Sequence, residues 1–177
     1  MEIINKTKEK VERIKNISIF KYIGNNDFPE VEKYINIIRF KKDEDIVREG
    51  ERGGGLFVVI SGRCRVIKGD TQVGTINEGE FFGEGEILLQ NPASATVKAD
   101  SDQVEVVYII RGGIEQLERK SPRFTSTLYK LIAKIEMERL ILLDREYAKV
   151  INELESMQKR EELRKIREKI FGGIKER

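Results

Sequence analysis

The alternation of apolar and polar residues changes twice along the chain and divides it into three regions. In the middle region, residues 35–111, apolar residues form short runs rich in Val, Ile and Phe, and ten of the fifteen glycines lie between Gly50 and Gly85. Short runs separated by turn signals every 8–12 residues or so are typical of antiparallel β-structure. The pattern predicts strands at 35–40, 45–48, 56–60, 63–68, 71–76, 95–99 and 104–110, with Ser61-Gly62 as a hairpin turn.

The first region, residues 1–34, has a helical pattern instead. Residues 3–17 carry apolar residues among lysines and glutamates, as in a short amphipathic helix: Ile3, Ile4, Val11, Ile14 and Ile17. Asp27 and Pro29 are suited to start a second helix that runs through Tyr34. We therefore expect N-terminal helices before the β-region.

The third region, residues 112–177, is a hinge followed by a helical pattern. A break is expected at Ser121-Pro122, and no Gly or Pro follows until Gly172, so residues 122–171 are predicted to form one helix of about 75 Å. Six of its residues are spaced 3-4-3-4-3, as in the seam of a coiled coil: Leu140, Leu143, Tyr147, Val150, Leu154 and Met157. A small β-domain cannot cover so long a stripe, so we expect a homodimer through the C-terminal helix. The alternatives are that the helix docks back on its own β-domain or ends as a charged, solvated tail.

Charge and hydropathy restrict the partners. Thirty-three basic and thirty-one acidic residues leave a net charge of +2, which gives no argument for nucleic acid or an anionic membrane. No run approaches the ~18 apolar residues of a spanning helix, and the N-terminus has no apolar signal-peptide region. We therefore expect a soluble cytoplasmic protein that binds neither nucleic acid nor membrane.

The inventory of reactive side chains argues against catalysis. The chain has no histidine and one cysteine, Cys64, so an intrachain disulfide, a histidine-ligated metal and a histidine base are excluded. Cys64 alternates with Val66 and is expected to be a small buried hydrophobe. Glu84 and Glu86 could be drawn as an acid and a base, but nothing supplies a matching nucleophile, metal or cleft. We predict a non-enzyme with no catalytic residue and no metal site.

Two stretches resemble the cyclic nucleotide-binding domain family of kinase regulatory subunits, cyclic-nucleotide-gated channels and bacterial catabolite activators: IVREGERGGGLFVVISGRCRVIKG at 46–69 and FFGEGEILLQNPASATVKA at 81–99. The resemblance covers about residues 15–145. It is carried by the Phe82-Gly83-Glu84 turn and the glycine ladder of Gly50, Gly62, Gly69, Gly79 and Gly83. It implies a mainly β fold with flanking helices, an antiparallel jelly-roll barrel followed by a long C-terminal helix. The few residues after that helix leave no room for the helix-turn-helix domain of the catabolite activators, so we expect no DNA-binding regulator.

The resemblance also implies a nucleotide site. In the family, a phosphate-binding cassette runs Phe-Gly-Glu, a short helix, then Pro-Arg-x-Ala-Thr-Val. Gly83 matches the glycine that approaches the nucleotide and Glu84 the glutamate that accepts the ribose 2′-hydroxyl, whereas Ala93 stands where the family has arginine. The implied site residues are Gly83, Glu84, Gly85, Ala93, Ser94, Ala95 and Thr96.

Ala93 decides the functional prediction. Removing one partner of a buried charge pair costs about 2–5 kcal/mol, or roughly thirty- to several-thousand-fold in affinity. Gly85-Glu86 adds a flexible residue and a second negative charge near any phosphate, and nothing in the sequence places Lys98, Arg63 or Arg65 as a substitute cation. Glu84 and Thr96 also have ordinary structural roles, as a helix-start carboxylate and a strand residue.

We therefore predict a non-catalytic regulatory or scaffold module that presents surfaces to a protein partner, with no cofactor and at most weak binding of cAMP or cGMP. The alternative is a true sensor, in which cAMP, cGMP or another anionic nucleotide binds the cassette. Ligand binding would then move the hinge at 111–122 and rearrange the coiled coil.

Overall fold

The computed structural model describes residues 2–4, 13–15, 17, 20, 27–52, 54–155 and 167–171. The chain divides into two compact units, Met1–Leu131 and Ile132–Arg177. The first unit contains the β-domain and the candidate site, and the second contains the coiled-coil pattern.

Two antiparallel sheets form the β-domain. Their strands in chain order are β1 (Glu2–Ile4), β2 (Ile35–Lys41), β3 (Asp45–Val47), β4 (Gly55–Ser61), β5 (Cys64–Lys68), β6 (Thr71–Ile76), β7 (Phe81–Phe82), β8 (Thr96–Ala99) and β9 (Gln103–Ile110). One sheet has the order β1-β2-β9-β4-β7 and the other β3-β8-β5-β6. The predicted fold class, a mainly β antiparallel jelly roll with flanking helices, is confirmed. The sheets are two separate layers, however, and do not close into a barrel.

The core lies where side chains of both sheets meet. Strands of the first sheet supply Ile38, Phe40, Phe57, Phe82, Val59, Val104 and Val106, and strands of the second supply Cys64, Ile76, Val97 and Ala99. Cys64 is fully buried among them, as predicted. Burial raises the pKa of its thiol to about 12, with a smaller contribution from the negative charge of Asp100, so the reactive thiolate is suppressed at neutral pH.

Short helices frame this sandwich. They are α1 (Phe28–Val31), continued by a 3-10 turn at Glu32–Tyr34, then α2 (Glu84–Leu89), α3 (Arg111–Lys120) and α4 (Pro122–Glu155). The predicted helix from Asp27 through Tyr34 is thus confirmed. The predicted break at Ser121-Pro122 is confirmed too, since Ser121 N–H donates to Leu117 O at 2.8 Å and ends α3.

The prediction of a helix over residues 3–17 is wrong at its start. Glu2–Ile4 is a strand that pairs with β2, with Ile3 opposite Ile38 and Ile4 opposite Ile37. The open edge of β2 supplies backbone partners there, and these outweigh a helical pattern that is local. Residues 13–15 are helical, Ile17 lies in a bend, and residues 5–12 and 16 of the prediction lie outside the described residues.

Ser61-Gly62 is not a hairpin turn. β4 pairs with β7 and β9, whereas β5 pairs with β6 and β8, so the turn carries the chain from one sheet to the other. Gly62 has φ +84°, and a Cβ there would lie 2.7 Å from Gln103 O. The glycine is required by this close passage over the start of β9.

The prediction of one helix over 122–171 is also wrong. α4 is described to Glu155, and residues 167–171 are helical. The ring of Phe171 lies 6.0 Å from that of Tyr147, whereas a continuous helix would separate the two residues by about 36 Å. Tyr147 and Phe171 therefore do not lie on one continuous helix. Three predicted seam residues on α4 are exposed, namely Leu140, Leu143 and Val150, the side chain of Leu154 is not described, and Met157 lies outside the described residues.

Candidate functional site

A tight turn at Gly83 joins β7 to α2 and begins the cassette. Gly83 has φ +89°, and a Cβ there would lie 2.1 Å from Gly55 O. No other residue fits a left-handed conformation with a neighbouring backbone so close. The glycine is therefore required by the fold, whether or not a ligand binds.

Three aromatic rings support this turn from the adjacent strands. Phe57 on β4 stacks on Phe82 of β7, with ring centroids 4.9 Å apart, and on Tyr108 of β9, with centroids 4.6 Å apart. Such cross-strand aromatic pairs stabilise a sheet by roughly 0.2–1 kcal/mol each. The start of the cassette is thus held on a rigid aromatic ladder.

Glu86, on the first turn of α2, is the main departure from an ordinary anion site. Its side chain points inward, with 7 % of the residue exposed, and its Oε2 accepts a hydrogen bond from Gly54 N–H at 2.9 Å. Among the described residues, no Lys or Arg forms an ion pair with it. The sequence predicted a second negative charge here, but not its partner, because Gly54 is 32 residues away in the chain.

Gly54 leaves the space that this carboxylate fills. A Cβ at Gly54 would lie 2.6 Å from Glu86 Oε1 and 2.8 Å from Oε2. The negative charge is also felt on β9, where the pKa of Tyr108 is raised mainly by burial and secondly by Glu86. The carboxylate is therefore a built-in part of the site and not a solvent-exposed side chain.

Ala93 and Glu86 both form hydrogen bonds with the loop that precedes β4. Its N–H donates to Glu51 O at 2.9 Å, and its carbonyl accepts from Gly50 N–H at 2.8 Å. Because Glu51 and Gly54 are three residues apart, the two attachment points on the loop are at most about 10 Å from each other. The backbone of Ala93 and the carboxylate of Glu86 are therefore both held by the loop that precedes β4.

The remaining predicted site residues fall into two groups. Glu84 and Gly85 form the start of α2, where a Cβ at Gly85 would meet nothing within 4 Å. Ser94, Ala95 and Thr96 lie on the way into β8, and Thr96 Oγ1 accepts from Glu49 N–H at 3.0 Å. Thr96 thus has the structural role that its strand propensity suggested.

The three basic residues considered as substitutes for the arginine are engaged elsewhere. Lys98 Nζ lies 2.7 Å from Asp45 Oδ1, and the hydrogen bonds of Lys98 and then Arg48 hold the pKa of Asp45 below its usual value. Arg63 and Arg65 both pair with Asp100, at 2.9 and 3.2 Å. None of these cations replaces the missing arginine in this structure.

Comparison with known proteins decides the family of this domain. Residues 37–121 match the family model of the cyclic nucleotide-binding domain. The chain contains a cyclic nucleotide-binding domain. The matched segment runs from β2 to Ser121, the residue at which α3 ends.

A curated relative of this cyclic nucleotide-binding domain is the cGMP-dependent protein kinase of Eimeria tenella. The two are 33 % identical over 92 residues, which is 52 % of this chain and 9 % of the kinase. The chain spans about a tenth of the length of the first curated relatives it matches.

Solved structures share the fold of the cyclic nucleotide-binding domain. A cyclic nucleotide-binding domain from Methylobacillus flagellatus has a TM-score of 0.64 and 21 % identity, over 77 % of this chain and 80 % of that one. The regulatory subunit of a cAMP-independent protein kinase A from Trypanosoma cruzi, bound to guanosine, has a TM-score of 0.55 and 23 % identity, over 65 % and 42 %.

The corresponding Trypanosoma brucei subunit was solved as a variant bound to cAMP in its A site, with a TM-score of 0.56 and 22 % identity, over 65 % of this chain and 44 % of that one. In that variant a glutamate is replaced by alanine, a threonine seven positions later by arginine, and the next residue, a valine, by alanine.

The described residues contain no group of three or more Cys, Asp or Glu side chains placed to hold a metal ion. They also contain no helix long and apolar enough to cross a membrane.

Proposed function

We propose that this chain is a non-catalytic regulatory module whose cyclic nucleotide-binding domain does not bind cAMP or cGMP tightly. The observation that carries the proposal is the buried carboxylate of Glu86, hydrogen-bonded to Gly54 on the loop that also binds the backbone of Ala93. The cassette thus lacks the family's arginine at Ala93 and carries an additional acidic group at Glu86.

Two effects act together against a cyclic phosphate. Loss of the arginine removes about 2–5 kcal/mol. In addition, a second negative charge on the cassette, Glu86, repels a phosphate that binds there. Their sum would weaken a micromolar site to about millimolar affinity or beyond.

The trypanosome regulatory subunits support this proposal. The three substitutions in the cAMP-bound Trypanosoma brucei variant are spaced as Glu86, Ala93 and Ser94 are in this chain. They remove a glutamate and introduce an arginine. On the proposal made here, these are the two changes that would allow this cassette to bind a cyclic phosphate. The Trypanosoma cruzi subunit is bound to guanosine, which carries no phosphate.

The regulatory part of the proposal is that the chain binds a protein partner and dimerises through α4. The curated relatives include protein kinases, which supports a protein partner that the domain regulates or recruits. The exposed Leu140, Leu143 and Val150 on α4 support dimerisation through that helix. Tyr147 contacts Phe171 of the same chain, so its ring is in part covered without a second copy.

Calorimetric titration of the full chain with cAMP and with cGMP tests the proposal. We expect no saturation below about 1 mM, given the combined loss derived above. The competing function, a sensor of cyclic nucleotides, keeps support from the intact turn at Gly83. A micromolar dissociation constant for either ligand would establish the sensor and overturn the proposal.

A further inference from the structure

The middle of the coiled-coil seam is covered by another part of the same chain. Tyr147 lies between Leu143 and Val150 on the seam, and these two residues are 64 % and 50 % exposed. Tyr147 itself is half-buried. The ring of Phe171 packs edge-on against the Tyr147 ring, with the centroids 6.0 Å apart and the planes at 60°, which is a favourable geometry for an aromatic pair.

A second copy of the helix would need the same space. In a coiled coil, each seam residue inserts as a knob into a hole formed by four residues of the facing helix. A ring that already contacts the knob lies where part of that hole would be. Phe171 and a partner helix therefore cannot both pack on Tyr147.

On the basis of the dimerisation in the proposed function, we infer that Phe171 is an intramolecular cap that competes with a second copy of this chain for the seam. In the capped form Phe171 covers Tyr147 and the chain is a monomer. In the dimer Tyr147 packs into the facing helix and Phe171 is displaced. Because both copies must lose the cap before they pair, the affinity of the dimer is reduced by the square of the uncapped fraction.

Two features of the capped form make it easy to displace. The hydroxyl of Tyr147 is buried and has no hydrogen-bond partner within the part of the chain that the structure describes, and an unsatisfied buried hydroxyl opposes the arrangement that buries it. Phe171 also remains 48 % exposed, so its contact with Tyr147 leaves much of its apolar surface in water. A partner helix that buries more apolar surface will therefore displace the cap.

Sedimentation equilibrium of the full chain over a range of concentrations tests the inference. Phe171→Ala should tighten the dimer by about tenfold, since an aromatic pair favours the capped form several-fold in each of the two copies. Ile170→Ala is the matched control, because Ile170 is the preceding residue and is similarly exposed, at 52 %. It should leave the dissociation constant of the dimer unchanged.

Tyr147→Phe is a second variant, and it keeps the aromatic ring. Removing the unsatisfied hydroxyl should strengthen the cap and weaken the dimer by about threefold. This effect should disappear when Phe171→Ala is also present, because the cap is then absent. In the Leu143→Glu variant, whose added charge blocks the dimer, an NMR cross-relaxation signal between the rings of Tyr147 and Phe171 should report the capped form directly.

The outcomes separate the inference from the proposed function. If the wild type dimerises and Phe171→Ala leaves its dissociation constant unchanged or raises it, the inference fails while dimerisation through α4 stands. If neither the wild type nor Phe171→Ala forms a dimer at any concentration reached, dimerisation fails and the inference fails with it. Equal tightening by Ile170→Ala and Phe171→Ala, or no ring contact in the Leu143→Glu variant, would overturn the role given to Phe171.

Discussion

Glu86 and Gly54 fit together so closely that neither can be changed without affecting the other. The Gly54 N–H donates to Glu86 Oε2 at 2.9 Å, and a single carbon added at Gly54 would lie within 2.8 Å of both carboxylate oxygens. The glycine and the glutamate therefore form one structural unit, although α2 and the loop before β4 are far apart in the chain.

This relationship makes a prediction about stability. Gly54→Ala should lower the free energy of unfolding by about 1–3 kcal/mol, because the new methyl group forces the buried carboxylate to move. Adding Glu86→Ala should recover part of that loss, so the two changes will not be additive in urea denaturation. Gly85→Ala is the control: with nothing within 4 Å of its Cβ site, it should be neutral or stabilising by up to about 1 kcal/mol. Additive effects of Gly54→Ala and Glu86→Ala would contradict the close fit.

A second prediction concerns cyclic nucleotides. Ala93→Arg alone should raise the affinity for cAMP only modestly, since the guanidinium can pair with the carboxylate of Glu86 instead of the phosphate. Ala93→Arg combined with Glu86→Ala should raise affinity by about a hundredfold or more, given the 2–5 kcal/mol of such a contact and the removal of the repulsion. Calorimetric titration measures both variants. Equal affinities for the single and double variants would mean that Glu86 does not oppose the phosphate.

Glu105 provides a third prediction, about pH. This carboxylate is buried on β9, where it accepts hydrogen bonds from Arg39 Nη2 at 2.8 Å and from Arg13. Burial alone would raise the pKa of Glu105, but the two guanidinium groups outweigh it and hold the pKa below its ordinary value of 4.5. A lowered pKa in the folded state gives stability that is present above about pH 4.5 and is lost as the pH falls below it.

Glu105→Gln should therefore lower the free energy of unfolding at pH 7 by about 1–3 kcal/mol. The difference from the wild type should shrink as the pH falls below 4.5. Glu2→Gln, which removes an exposed partner of the same Arg39 at 3.2 Å, should change stability by less than about 0.5 kcal/mol. Denaturation curves at several pH values measure both. A Glu105→Gln penalty that stays constant down to pH 3 would show that the charge is not responsible.

The fourth prediction separates the dimer seam from the rest of α4. Leu142 and Leu143 are similarly exposed, at 59 % and 64 %, but Leu143 alone belongs to the 3-4-3-4-3 pattern. Leu143→Glu should convert a dimer to a monomer in light scattering, because it places a charge in the apolar contact. Leu142→Glu should leave the mass unchanged. A monomeric wild-type chain, or equal effects of the two variants, would remove dimerisation from the proposed function.

Local patterns predicted most of the sheet elements, because the short apolar runs and their glycines mark strands directly. All seven predicted strands are present, within one or two residues of their predicted ends. β1 and β7 escaped prediction, since strands of three and two residues exist only through pairing with distant partners. The Ser61-Gly62 turn was wrongly predicted to be a hairpin for the same reason. Its residues identify a turn, but the sheet that the next strand joins depends on pairing with distant strands.

In the candidate site, too, the local features could be predicted from the sequence and the long-range contact could not. The turn at Gly83 and the absence of a cation at Ala93 were readable from a contiguous motif. The link between Glu86 and Gly54 was not, because it joins α2 to a loop 32 residues earlier. Likewise the contact between Phe171 and Tyr147 could not be predicted, because the sequence between them contains no Gly or Pro that would mark a break in the helix.

Strand β1 has a practical consequence for anyone who expresses this domain. The family match begins at residue 37, but Glu2–Ile4 covers the outer edge of β2 from Ile37 to Arg39. A fragment trimmed to the matched residues would leave those amide and carbonyl groups unpaired beside two large isoleucines. Unpaired strand edges can pair with other chains, so the shortened domain should be prone to aggregation. Residues 2–4 should therefore be kept when the domain is expressed.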